Sequence, residues 1–337
     1  MSFSIEVLNT IRANASAEYQ ARIPVATVDN INAIGNSFNE YTELYNEYST
    51  ALLHKIGLTI LLTNSFENKL KKFKTGGLTT GQDVEEIFVD QFRKAEGAYD
   101  KTGLTINPFA RREYNDVKVY YHRLNRQDKY VISIAKEDHI RAFRSENTLT
   151  SFISAQLNSL YTGAEYDEWC VMKEMLGEVA TAATGDNLYK IDEPTTQAKC
   201  QAFARTVKKA IADLGYVSTK YNPAGVKTKV EKSDLVLFVH KDIAPHMDVD
   251  LYSVIFGPDY TKLGITVVEL DDFGSNNDGT RAILCDKDLF KIYDVKHEMT
   301  QLFNPDNLVT NYWLHVWQIL STSNFKARAV FKVSVGA

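Results

Sequence analysis

Near its end the chain alternates: Ala327, Ala329, Phe331, Val333 and Val335 interleave with Lys326, Arg328, Lys332 and Ser334. A period of two puts one set on a buried face and the other in water, which predicts a strand over 325–335. Just upstream, Tyr312 to Leu320 is apolar at nearly every position, including Trp313 and Trp317. Such a run predicts a strand covered on both faces, with both tryptophans buried. Shorter apolar runs predict strands at 235–239, 265–270, 282–285 and 289–293, the last two separated by the acidic turn Asp286-Lys287-Asp288. Together the last strands read as a hairpin-like pair that sews the end of the chain into a sheet. Val117–His122 and the run Tyr130 to Ile134 flank the polar turn Asn125 to Asp128, and predict a β-hairpin.

Elsewhere the period lengthens. Ser145 or Asn147 caps a stripe of Leu149, Phe152, Ile153, Leu157, Leu160 and Tyr161, which Tyr166, Trp169, Cys170, Leu176 and Val179 continue beyond Gly163. If unbroken to Ala182, the helix has about 36 residues at ~1.5 Å each and spans ~54 Å. It is a spine. A second helix is predicted over 195–214, with Ala202, Phe203, Val207, Ala210, Ile211 and Leu214 inward and Gly215 at its end. A short helix is predicted near 248–256.

Two regions carry weaker patterns. In 1–63, Phe38, Tyr41, Tyr45 and Tyr48 fall at helical spacing, as do Leu52, Lys55 and Ile56, yet the region has too few apolar residues for a core of its own. It is expected to lie against something else. In 64–115, lysines, glycines and scattered phenylalanines show little periodicity, and so long an insertion predicts a protruding loop whose apolar side meets another chain.

The order and wording of the tail resemble a known family. A strand, an Asp-Lys-Asp turn, Phe-x-Ile-Tyr at 290–293, Asn-Tyr-x-x-His-Val-Trp-Gln-Ile at 311–319 and Ala-x-Ala-Val-Phe at 327–331 are similar to the tail of tailed-phage major capsid proteins. Their Johnson fold, also used by encapsulin shells, implies an α+β chain with an N-terminal arm, an extended loop, a spine helix, and peripheral and axial domains. Laid on this chain, the resemblance implies an arm with linking helices at 1–63 and an extended loop at 64–116. A peripheral domain follows at 117–190, an axial domain at 191–304, and strands returning to the peripheral domain at 305–337.

Composition fits without adding chemistry. With 44% hydrophobic and 24% charged residues the chain reads as an ordinary globular protein. No apolar run approaches the roughly 20 residues that would cross a bilayer, and 1–17 lacks the features of a signal peptide, so a cytoplasmic origin is expected. A net charge of −5 argues against sequence-specific nucleic-acid binding. Cys170, Cys200 and Cys285 are far apart and read as buried small hydrophobes.

Candidate catalytic motifs fail on context. Ser133-Ile134-Ala135-Lys136 matches a Ser-x-x-Lys nucleophile motif but falls in a predicted strand without partner motifs. Gly76 to Gly81 lacks the Gly-Lys-Ser/Thr ending of a phosphate loop. Asp271 to Gly279 resembles a calcium loop, but aligning Asp278-Gly279 on that pattern puts Gly274 and Cys285 where carboxylates belong. His240 and His246 lack a placed glutamate, and His315 reads as a hydrogen-bonded core histidine. No catalytic, cofactor or metal residue is assigned.

The resemblance instead implies a shell protein assembling with itself in pentamers and hexamers into the icosahedral head of a tailed, double-stranded DNA phage. Lys69, Lys71, Lys72, Lys74, Phe88 and Phe92 in the loop, and Asp271, Asp272 and Asp278 in an axial turn, are the candidate inter-subunit contacts. The acidic turn is expected to face its symmetry mates, its repulsion offset by cations or by a neighbour's basic groups. A portal protein, a separate scaffolding protein, head-decorating proteins and packaged DNA are the implied partners, with assembly in the bacterial cytoplasm and a place in the virion. The alternatives are an encapsulin-type nanocompartment and, from another class, a cytoplasmic α/β enzyme with a pocket beside Asp271, Asp272 and His240.

Overall fold

Three helices, α1 (Phe3–Asn14), α2 (Ala17–Arg22) and α3 (Ile31–Glu40), and a helical stretch α4 (43–48) come first in the computed structural model. The structure describes residues 3–41, 43–48, 51, 66–79, 81–90, 117–142, 146–243, 265–275 and 279–333. Phe92, Asp278 and the short helix expected near 248–256 lie outside these.

The first correction concerns the N-terminal helices. Ile5, Leu8, Ile11, Tyr19, Ile31, Ile34, Phe38, Tyr45 and Tyr48 are buried together, so the region does make a core. Its apolar residues are few but large, and a buried aromatic ring contributes far more area than an aliphatic side chain. Asn9 seals the turn by exchanging two hydrogen bonds with the Ala26 backbone, at 2.8 and 3.1 Å. The expectation of an outside support also holds in part: Tyr161 and Phe303 from later elements pack against this core.

After β1 (Gly76–Gly77), β2 (Val84–Val89), β3 (Val117–His122) and β4 (Arg126–Ala135) come α5 (Lys136–Ala142) and the spine, α6 (Glu146–Thr181), of 36 residues. Of the predicted stripe, Leu160, Trp169, Leu176 and Val179 are buried, Tyr161 and Cys170 are half-buried, and the side chains of Leu149, Phe152, Ile153 and Leu157 lie outside the described residues. Tyr166 is exposed, its ring set edge-on to Phe66, and Met172 and Met175 are buried instead. The predicted hairpin of β3 with β4 is not formed. β3 pairs antiparallel with β2, and β4 pairs with a late strand, β10 (Val309–Thr322). The polar turn between them is a crossover: the Asn125 side chain donates to the Leu320 carbonyl and accepts from the Leu320 amide, at 2.6 and 2.8 Å.

The remaining elements are β5 (Leu188–Ile191), α7 (Gln197–Leu214), β6 (Leu235–His240), β7 (Thr266–Leu270), β8 (Thr280–Asp286), β9 (Phe290–Asn304) and β11 (Arg328–Val333). One sheet has the order β1-β9-β10-β4, the other β5-β11-β8-β6-β7. The tail is therefore split: β9 and β10 form a long hairpin in the first sheet, whereas β11 enters the second between β5 and β8. As an inner strand β11 is covered on both faces, so Arg328, expected in water, is buried.

The second sheet is the middle of a three-layer stack. Leu235, Leu237, Val239, Ala282, Leu284, Ala329 and Phe331 face α7, meeting Phe203, Ala204, Val207 and Ile211. Val236, Phe238, Ile283, Cys285 and Val330 face the other way, onto Met172, Leu176 and Val179 of α6. This double cover explains the unbroken apolar runs of β6 and β8. On α7, Ala204 replaces the expected Ala202 as an inward residue. Further back along α6, Leu160 and Ala164 pack on Leu314 and Val316 of the first sheet. One helix thus bridges both sheets.

On β10, Tyr312, Leu314, Val316 and Gln318 are buried, but Trp313 and Trp317 are only half-buried. The expected burial of both tryptophans is corrected: a single helix covers one face of this sheet, while the Lys296 ammonium lies 5.1 Å from the Trp317 ring on the other.

Candidate inter-subunit surface

β2 and β3 form a ribbon by themselves, in register from Val84 opposite His122 to Val89 opposite Val117. Alternation gives the ribbon two unlike faces. Glu86, Phe88, Lys118 and His122 turn toward the subunit. Glu85 with Tyr121, Ile87 with Val119, and Val89 with Val117 are the opposed pairs on the outer face. There Ile87 is 57% exposed, Val117 53% and Tyr121 54%. A two-stranded ribbon is marginally stable alone, and a contiguous exposed apolar patch marks an interaction surface.

The inner face is latched to the body. Glu86 accepts hydrogen bonds from Ser323 Oγ at 2.8 Å and His122 Nε2 at 3.3 Å, with Lys291 Nζ at 3.5 Å. Because a carboxylate only accepts, His122 Nε2 donates to Glu86, and its Nδ1 shares a hydrogen bond with the Ser321 hydroxyl at 2.5 Å. Phe88 stacks obliquely on Phe325, with centroids 5.7 Å apart, and Lys118 donates to the Ala224 carbonyl at 2.7 Å. Burial alone would raise the Glu86 carboxyl, but the hydrogen bonds from His122 and Ser323 and the charge of Lys291 outweigh it and hold it below the usual range.

A lowered carboxyl contributes stability above its unfolded pKa and loses it as the pH falls through the lower folded value. The latch is therefore expected to weaken as the pH falls below about 4, the ordinary glutamate range. Melting temperatures of the wild type and Glu86→Gln should converge over that interval, and a gap that persists to pH 2 would show that Glu86 titrates normally.

The lysine-rich stretch before the ribbon is docked on its own subunit. Phe66 meets Trp169, Leu70 is buried, and Phe73 packs on Phe238 and Phe290. Lys71 pairs with Glu165 at 2.7 Å. Lys74, nearly buried, pairs with Glu168 and Asp294 at 2.9 Å each. Burial would lower the Lys74 ammonium, yet the two carboxylates keep it above its ordinary value. Lys69 and Lys72 are exposed.

The acidic turn is also occupied from within. Lys173 of the spine lies 2.9 Å from Asp271 and 3.1 Å from Asp272. Glu174 accepts from the Ser275 amide at 2.8 Å and its hydroxyl at 3.0 Å. A base that offsets the acidic pair thus belongs to the same subunit, where the expectation was cations or a neighbour's basic groups. Ser133 lies in β4, as expected, and donates to Asn311 Oδ1 at 2.6 Å, while His240 Nδ1 accepts from the Asp242 amide at 3.2 Å and His246 lies outside the described residues. Among the described residues, no group of three or more His, Cys, Asp or Glu side chains could hold a metal ion.

Sequence reasoning named Phe88 but passed over Ile87, Val89, Val117, Val119 and Tyr121. Burial alternates along β2, and five of the six outward positions of the two strands are apolar, Glu85 being the exception.

Comparison with known proteins gives a consistent answer. The model of the Phi29-like phage major capsid protein family matches residues 8–332. The major capsid protein of Bacillus phage B103 is 33% identical over 333 residues, covering 97% of this chain and 72% of that protein. That of Bacillus phage PZA is 34% identical over 336 residues, covering 98% and 73%. The capsid structure of Staphylococcus phage Andhra superposes with a TM-score of 0.62 at 13% identity, over 80% of this chain and 85% of the other, and so shares the fold.

Proposed function

The chain belongs to the Phi29-like phage major capsid protein family, a structural component of the virion, and from that membership we propose how its subunits join. The outer face of the β2–β3 ribbon lies over an adjacent subunit and ties the subunits into pentamers and hexamers. These close into the icosahedral head of a tailed, double-stranded DNA phage.

The observation that carries this is the ribbon's division of labour. One face is latched to its own body by Glu86, His122 and Phe88, while the other presents apolar pairs to solvent. A second copy supplies the missing cover, and repetition of one such head-to-tail contact around a closed ring needs no other active site. Lys69, Lys72 and Phe92 belong to the same proposed contact. The division of the chain into arm, extended loop, peripheral and axial domains is part of this reading. So are its further partners: a portal protein, a separate scaffolding protein, decorating proteins and packaged DNA, with assembly in the bacterial cytoplasm. The subunit acts as a wall rather than an enzyme.

The test is particle size. Sedimentation and negative-stain microscopy of the purified chain, or of the chain produced with its scaffold, are expected to give closed megadalton shells. A small oligomer under both conditions would contradict the reading.

A further inference from the structure

Among the described residues three lysine or arginine side chains are buried, Arg126, Lys173 and Arg328, and the first two are met. Arg126, 6% exposed, donates to Asp128, Gln318 and Tyr130 at 2.6, 2.8 and 2.8 Å. Lys173, also 6% exposed, has Asp271 and Asp272. Arg328 is buried to the same 6%, yet among the described residues its guanidinium makes no hydrogen bond and no ion pair. Only its backbone is engaged, the amide donating to the Tyr221 carbonyl at 2.8 Å. The register fixes its direction. Cys285 stands directly opposite on β8 and faces α6, as does Val330 two residues on, so the Arg328 side chain points to that side and away from α7. Among the described residues only Cys285 acts on it electrostatically, and it is no counter-ion, because burial pushes its thiol up and keeps it uncharged.

We propose that Arg328 forms the base of a binding site for a small oxyanion of the phosphate class, taken up from solution against the second sheet. A guanidinium keeps its charge, and a buried charge is costly until an anion pairs with it. Its planar fork of N–H donors matches two oxygens of one anion, which selects an oxyanion over a spherical halide. Access then selects by size. The guanidinium nitrogens are not sealed from solvent, yet the residue is only 6% exposed. Such an opening admits an ion and shuts out a duplex backbone or the surface of a neighbouring subunit. The site lies within one subunit, apart from the ribbon's outer face, so its failure leaves the shell reading untouched.

The test is titration calorimetry of inorganic phosphate into the full chain, held unassembled as sedimentation verifies, with sodium chloride at matched ionic strength as the control. One phosphate per subunit is expected, and chloride should give no comparable heat. Arg328→Met keeps the length of the side chain without its charge, and should bind phosphate at least about tenfold less tightly. Melting gives a second reading. In phosphate-free buffer Arg328→Met should melt no lower than the wild type, since an apolar side chain of similar size replaces an unpaired buried charge. Added phosphate should then raise the wild type more than the variant. Phosphate also stabilises proteins generally by exclusion from their surface, so an equal rise in both would count against the site. No binding by the wild type, equal binding by Arg328→Met, an equal response to chloride, or a marked loss of stability in Arg328→Met without phosphate would each overturn the proposal.

Discussion

Replacing Gly177 by alanine is expected to destabilise the subunit by about 2–3 kcal/mol, the upper part of the range for overpacking a close contact. In an ordinary helix interior the same change would stabilise by up to ~1 kcal/mol, because glycine loses more backbone entropy on folding. Here the sign reverses. A Cβ on Gly177 would lie 2.3 Å from the Phe273 carbonyl oxygen, closer than any real contact, and backbone on both sides leaves no flexible end to move. The loop after β7 would have to lift away from the spine. Lys173 would then lose Asp271 and Asp272, and Glu174 would lose Ser275. Gly163 is the internal control: its added Cβ would meet only the Tyr130 ring, at 3.9 Å, so Gly163→Ala should be neutral or stabilising. Urea unfolding of the unassembled subunit separates the two. Equal stability of Gly177→Ala and Gly163→Ala would mean that the loop is not seated on the helix.

The second large effect is on assembly rather than folding. Ile87 and Val119 are directly opposed on the ribbon's outer face. Changing them to aspartate and lysine keeps the strands paired, because opposite charges across a ribbon are tolerated. Subunit stability should stay within about 0.5 kcal/mol of the wild type, the scale of an ordinary surface change. Shell formation should be lost, since burying this charged pair in an interface costs more than its attraction returns. Deleting the whole 70–112 stretch would be a poorer experiment. It removes Leu70 and Phe73, which belong to the subunit's own core or pack against it, so failure to assemble would not distinguish an interface from a folding defect. Normal shells from Ile87→Asp/Val119→Lys would remove the ribbon from the interface.

What could be read from the sequence follows the range of the forces involved. The spine was legible because its stripe is local, and the structure gives Glu146–Thr181 as one helix. The buried strand at 235–239 was legible because cover on both faces leaves an apolar run, and the structure gives Leu235–His240. Strand pairing is not local. Val117–His122 sits next in sequence to β4 yet pairs backwards with Val84–Val89, and nothing in the two runs shows that Asn125 will bind Leu320 instead of closing a turn. Parity decided the rest of the candidate surface. Phe88 looks like the adhesive residue, but Phe325 draws it inward and thereby turns Ile87 and Val89 out. Asp271 and Asp272 looked uncompensated for a similar reason: their base, Lys173, lies about a hundred residues earlier in the chain and meets them only because Gly177 lets the loop close on the helix.

The central claim is that the ribbon's outer face is covered by a neighbour, and an electron cryo-microscopy reconstruction of the assembled particle tests it most directly. The expected map shows Ile87, Val119 and Tyr121 of each subunit packed against an adjacent subunit, with Glu86 and His122 still latched to their own. A map in which that face looks into solvent, with subunits joined elsewhere, would contradict it.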